Sequence, residues 1–149
     1  VHGDRVVAEG ERFDPAVRRR IETGFFVSAP AYVRAQRARV LLTRRMSEAL
    51  DSVDLIAMPT VPMPAPLREA ESVAVGGVET PVREALLRIT RIFNVTRMPA
   101  VSVPCGFSAD GLPLAFQIGG RAFDDAQVLR AAHAYQGATD WHTRRPPEP

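Results

Sequence analysis

Few residues in this chain have the type and spacing to carry chemistry. Thr90, Phe93 and Asn94, just ahead of an apparent core strand, supply a hydroxyl, an aromatic wall and an amide. Such a set can orient a ligand in a mostly apolar pocket. Cys105 is the only thiol; it falls on an apolar, alternating stretch with no neighbouring base to activate it, so packing is its expected role. Ser102 lies on the same stretch, outside any G-x-S-x-G elbow, and is expected on the outer face of a strand. His2, His133 and His142 are far apart, and no H-x-x-x-H or C-x-x-C spacing exists, so no metal site is expected. Gly76-Gly77, Gly106 and Gly119-Gly120 fit neither the phosphate-loop nor the dinucleotide pattern, and no cofactor is expected. The 19 basic side chains are all Arg, so no step that needs a lysine amine can be completed within these 149 residues. The residues therefore yield no self-contained active site; what remains is binding.

The elements that would position these residues are legible from periodicity. Val101, Val103 and Cys105 alternate against Ser102 and Pro104. After Asp110-Gly111, a dipeptide suited to a tight turn, Leu112, Leu114, Phe116 and Ile118 alternate against Pro113, Ala115 and Gln117. A period of two on both sides of a turn predicts an antiparallel hairpin, with Pro104 and Pro113 at a strand end, bulge or edge. A helix from about Asp125 to Gln136 should follow, opened by a variant capping box of Asp124 and Gln127 and burying Val128, Leu129, Ala132 and Tyr135.

Further upstream, Arg5–Ala8 reads as a strand. Asp14-Pro15 starts a helix that should stop near Gly24. Ser28-Ala-Pro opens the longest helix, roughly Pro30 to Ser52, with an apolar stripe at Ala35, Ala38, Leu42, Met46, Ala49 and Val53. Its arginines read as a solvated face rather than a nucleic-acid surface, because no aromatics beyond Tyr32 interleave them. Asp54–Met58 reads as a buried strand, and residues 59–80 as a Pro/Gly-rich loop within the domain. Inside that loop, Ala70–Thr80 is a mobile loop or a short ribbon. Pro81 opens a helix with Ala85, Leu86, Ile89 and Phe93 inward. Residues 139–149 form a tail that Trp141 packs back onto the body.

An apolar fraction of 46% excludes a chain that is disordered throughout, and a net charge of +2 is too small to call for nucleic acid or an anionic membrane. One cysteine forbids an internal disulfide, and no apolar run reaches the length of a membrane span. A cytoplasmic location without membrane contact is the expectation.

These pieces, in order, resemble the amidase signature hydrolases. Asp14-Pro-Ala-Val-Arg18 and Ile21-Glu-Thr-Gly24 resemble the helix before that family's long helix. Asp54-Leu-Ile-Ala-Met-Pro-Thr60, with Pro62 and Ala65-Pro66, resembles its strand and Pro-Thr loop. Thr90–Asn94, Pro99-Ala100, Ser102–Gly106, Gly111–Pro113 and Gln117–Gly119 are similar to its C-terminal core. Phe123-Asp124, Ala131–Tyr135, Trp141-His142 and Arg144–Pro146 resemble a bacterial ending.

The resemblance implies an α/β chain, part of an α/β/α layered fold with a mixed β-sheet. It implies that residues 1–149 are the C-terminal segment, about the last third, of a single amidase domain that hydrolyses carboxylic amides through a Ser–cis-Ser–Lys triad. The triad's loop and lysine have no counterpart here, so no catalytic residue is assigned and the isolated chain is expected to be inactive. By position, Thr90 and Phe93 match places that line that family's acyl pocket, with Leu87 nearby; together with Asn94 they are the expected substrate-binding residues. Leu87 stands where transamidating branches often carry an acid, which points to a less polar acyl group. Arg97 replaces a usual glycine and would be strained at a positive φ. The implied partners are a small-molecule amide substrate and an N-terminal catalytic half, and a homodimer stays open. Two alternatives are a non-catalytic binding or assembly module and a piece of the A subunit of a tRNA-dependent amidotransferase.

Overall fold

The computed structural model of the chain describes residues 2–145. The chain divides into two compact units, Val1–Val40 and Leu41–Pro149. The first holds α1 (Gly3–Glu9), a 3-10 turn, α2 (Pro15–Thr23), a second 3-10 turn and the start of α3 (Ala29–Asp51). Asp14 caps α2 as its sequence predicts: its carboxylate accepts the N–H groups of Ala16 at 2.9 Å and Val17 at 3.1 Å. Arg5–Ala8, expected as a strand, is instead part of α1. A strand needs a neighbour to complete its ladder, whereas here the Val6 N–H closes locally on the His2 carbonyl and Val6 alone is buried.

The second unit contains the end of α3, β1 (Ile56–Pro59), β2 (Ser72–Val75), β3 (Val78–Pro81), α4 (Val82–Thr96), β4 (Ala100–Phe107), β5 (Pro113–Gly119) and α5 (Asp125–Ala138). The expected hairpin is β4–β5, antiparallel from Ala100↔Gly119 to Phe107↔Pro113. Strand β1 pairs antiparallel with the other side of β5, so the order is β1-β5-β4 and β5 is central. Proline cannot donate to a ladder, and the chain obeys this: Pro113 opens β5, and Pro104 sits on the outer strand β4, beside a register shift that ends at Gly106. The Ala70–Thr80 segment is a ribbon, β2 and β3 joined at Gly76-Gly77, whose φ values of 59° and 80° suit glycine.

Two apolar layers sandwich the three-stranded sheet. On one side Met46 and Leu50 of α3 meet Phe93 of α4 and Met98, with Ile56 and Met58 of β1 beneath. On the other, Ala132, Ala131 and Tyr135 of α5 cover Val103 and Ile118, and the Phe116 and Tyr135 rings meet edge to face at 4.8 Å. This is the α/β layering the sequence led one to expect; every ladder among the described residues is antiparallel. Because a helical layer covers each side of the sheet, both faces of β5 are buried. Gln117 is only 4% exposed and donates from Nε2 to the Pro59 carbonyl at 3.4 Å.

Several helix faces differ from expectation. Helix α3 buries Met46 and Leu50, with Leu42 half-buried; Ala35, Ala38, Ala49 and Val53 are exposed. The helix ends at Asp51, so Val53 lies off the stripe, and the i, i+4 ridge ending in Leu50 meets the sheet. On α5, Val128, Ala132 and Tyr135 face the sheet, but the contact stripe is too narrow to include Leu129, which is 59% exposed. Asp124 forms no side-chain cap, because its ψ of 45° is not the extended value an N-cap side chain needs. Its carbonyl accepts from the Gln127 and Val128 N–H groups instead.

The tail returns as expected: Trp141 packs edge to face on Phe107 at 6.1 Å, and the Arg144 guanidinium lies 5.1 Å from the indole centroid. Pro146 and the rest of the expected tail lie outside the described residues. No helix of the described residues is long and apolar enough to cross a membrane.

Candidate substrate cavity

Helix α4 carries all four binding residues inferred from the sequence, and their environments differ. Phe93 is 4% exposed and belongs to the core layer with Met46, Leu50 and Met98. Its ring lies over Gly119 of the central strand, where a Cβ would come within 2.0 Å of the ring. Thr90 is half-buried, and its hydroxyl donates back to the Leu86 carbonyl at 3.4 Å. Leu87 is half-buried and Asn94 exposed.

Two hollows adjoin this helix. The larger, about 620 Å³, lies between the Pro59–Pro66 loop, Leu86 of α4, Cys105 of β4 and the first half of β5 up to Phe116. The loop is held there by Thr60: its N–H donates to the Ala115 carbonyl at 3.1 Å, and its hydroxyl meets that of Ser102 at 2.7 Å. A volume of that size suits a small organic ligand. Its lining is almost wholly apolar: among the described residues, Thr60 is the only one lining it with a side-chain oxygen or nitrogen.

The smaller hollow, about 430 Å³, includes Phe93, Asn94, Arg97, Met98 and Phe123. Phe93 and Asn94 are thus brought together there; Leu87 and Thr90 line neither of these two hollows. Arg97 ends α4 in the left-handed region, φ 61° and ψ 31°. The Met98 N–H reaches back to the Phe93 carbonyl at 3.3 Å while both side chains pack in the core, the pairing of a Schellman ending. Arg97 therefore does occupy a positive-φ position, where a side chain is strained.

Sequence reasoning missed three features of the larger hollow. Leu86, expected inward, is 38% exposed and forms part of its wall. Cys105, expected as packing, is half-buried at the same wall. The Thr60–Ser102 pair joins positions 42 apart, and nothing local in the sequence signals it. Among the described residues, no group of three or more His, Cys, Asp or Glu converges as a metal site.

The family model described as Amidase matches residues 6–129. The chain belongs to the amidase family. It is 42% identical over 139 residues to an amidase of Pseudomonas putida, covering 91% of this chain and 29% of that one. It is 41% identical over 144 residues to the A subunit of the glutamyl-tRNA(Gln) amidotransferase of Chloroflexus aggregans, covering 92% of this chain and 28% of the relative. A crystal structure of an amidase superposes with a TM-score of 0.84 at 26% identity, over 92% of this chain and 31% of that one. The chain thus spans less than a third of the length of the relatives it matches.

Proposed function

We propose that this segment builds one wall of the acyl pocket of an enzyme that hydrolyses a carboxylic amide C–N bond to acid and amine or ammonia. The observation that carries this reading is the cavity of about 620 Å³. It is formed by the Pro-Thr loop and α4, on a segment that belongs to the amidase family. The nucleophilic serine, its bridging serine and the lysine come from the catalytic half that precedes this segment in the family. Phe93 anchors α4 to the sheet, and Leu87, Thr90 and Asn94, which do not line that cavity, complete the binding site toward the preceding half. The setting is cytoplasmic.

A chimera tests this. The matching segment of the Pseudomonas putida amidase is replaced by residues 1–149, and ammonia release is followed over a panel of amides. Retained turnover whose amide preference follows the new segment is expected. A folded chimera with no turnover on any amide overturns the reading. The 149-residue chain alone is expected to release no ammonia, because it has no lysine.

The similarity to the A subunits of amidotransferases supports a second reading, in which the ammonia released is passed to a charged tRNA. Leu87 in place of an acid counts against it. Measurable tRNA binding by the chimera would favour it.

A further inference from the structure

We infer that the smaller hollow, at the end of α4, is a binding site for a monocarboxylate carried on an aromatic body, with Arg97 as its anion partner. The inference goes beyond the amidase reading and does not depend on it. The groups that carry it are present in the segment itself: the ending of α4 and the turn from β5 into α5 set them, whatever the preceding half adds.

The hollow holds about 430 Å³, room for a small organic acid. Its lining divides in two. Phe93 and Met98 are buried and Pro99 half-buried, which gives an apolar side. Asn94, Arg97 and Phe123 are exposed, and they bring a carboxamide, a guanidinium and a phenyl ring. A guanidinium is planar, stays charged at physiological pH, and matches a carboxylate through two parallel N–H donors. The Asn94 amide adds a further donor. The Phe123 ring, 98% exposed, offers a face on which a ligand ring can stack. Asp125 lines the same hollow, and none of the ion pairs among the described residues joins it to Arg97. Its charge opposes a second negative charge on the ligand, which favours a carboxylate over a phosphate dianion.

The backbone singles out the same place. Among the described residues two that are not glycine have a positive φ, Arg97 at 61° and Phe123 at 67°, and both line this hollow. Glycine would meet either conformation without strain, so each side chain is held there at a cost in stability. Strain of that kind marks positions where the side chain is used: at Arg97 the charge, at Phe123 the ring.

Methionine-methyl NMR tests this on the chain itself. Met98 lines the hollow, Met63 lines the larger cavity, and Met46 and Met58 lie in or against the core layer and report folding. Phenylacetate, phenylacetamide and phenethylammonium are titrated in turn; they share a ring and differ in charge. Phenylacetate should shift Met98 saturably and leave Met63 in place, and neither the neutral nor the cationic analogue should saturate Met98. Arg97→Gly should weaken phenylacetate about thirtyfold through the lost charged hydrogen bonds. The same change relieves backbone strain and should leave the fold at least as stable, a split that a merely structural role would not give. Phe123→Gly, at an exposed position, should weaken phenylacetate about fivefold through the lost ring contact. The titration is repeated on the chimera, where the segment lies in a complete domain.

No saturable Met98 shift while Met46 and Met58 report a folded chain, an equal response to phenylacetamide, or unchanged affinity in Arg97→Gly overturns the inference. So does a chimera in which Met98 stays silent, because the preceding half then fills the hollow. The two readings fail separately. An inactive chimera that still binds phenylacetate through Arg97 removes the amidase reading alone. A chimera that turns over amides with a silent Met98 does the reverse.

Discussion

Gly119→Ala should destabilise the protein strongly, and the reason is local. A Cβ at this position would stand 2.0, 2.3 and 2.9 Å from Cε1, Cζ and Cδ1 of Phe93. Ordinary carbon–carbon contact is about 3.5–4.0 Å, so ring or strand must move by about 1.5 Å. Neither moves easily. The ring is enclosed with Met46, Leu50 and Met98, and Gly119 is paired on both sides, to Ile56 and to Ala100. Overpacking a tight core costs about 1–3 kcal/mol, and this clash belongs at the upper end. Gly119 does not have a positive φ, so alanine returns about 0.4–1 kcal/mol through the unfolded chain. The net expectation is a loss of about 2 kcal/mol, which lowers the urea midpoint by about 1 M at an m-value of about 2 kcal/mol/M. Phe93→Leu should relieve the clash, so the double mutant should lose less than the sum of the single changes by at least about 1 kcal/mol. Gly137→Ala is the matched control: nothing lies within 4 Å of its Cβ, and it sits in α5, so it should stabilise by about 0.5 kcal/mol. An unchanged midpoint for Gly119→Ala, or additivity with Phe93→Leu, would refute the steric account.

The other expectations are smaller. Arg97→Gly relieves a left-handed residue at the end of α4, a penalty of about 1–2 kcal/mol partly offset by glycine's freer unfolded chain; calorimetry should show a gain of about 0.5–1 kcal/mol, and a lower melting temperature would count against it. Arg121→Ala removes the guanidinium that donates to the carbonyls of Leu50 and Val53 where α3 ends; urea unfolding should show a loss of about 1–2 kcal/mol, whereas Arg44→Ala, which breaks only an exposed i,i+4 pair, should cost about 0.5 kcal/mol or less. Asp14→Ala removes the cap of α2 and should cost about 1 kcal/mol, seen as faster amide exchange at Ala16 and Val17; unchanged exchange at both would contradict the capping geometry.

Elements whose rules are local could be read directly from the chain. The alternation of Val101, Val103, Leu114, Phe116 and Ile118 specified the hairpin, because side chains on a strand point to alternate faces. Asp14-Pro15 set the start of α2, because a carboxylate there can meet the first free N–H groups. The ordered short motifs, from Asp14-Pro15 to the C-terminal core, suffice to mark the amidase family, because they are fixed in the chain itself. Other features were decided by what lies across the sheet. That buried Gln117 finds an acceptor in the Pro59 carbonyl follows from β1 pairing with β5, a pairing of residues about 60 apart. Leu86 and Leu129 are apolar, yet their exposure depends on how wide a stripe the sheet covers, which periodicity alone does not encode. The brief strand expected at Arg5–Ala8 failed because a four-residue run cannot declare whether a partner strand will be present. The cavity itself is tertiary: a proline-rich loop that reads only as irregular is held over β4 and β5 through Thr60, by its N–H on the Ala115 carbonyl and its hydroxyl on that of Ser102, and non-local contacts of that kind leave no periodic trace in the chain.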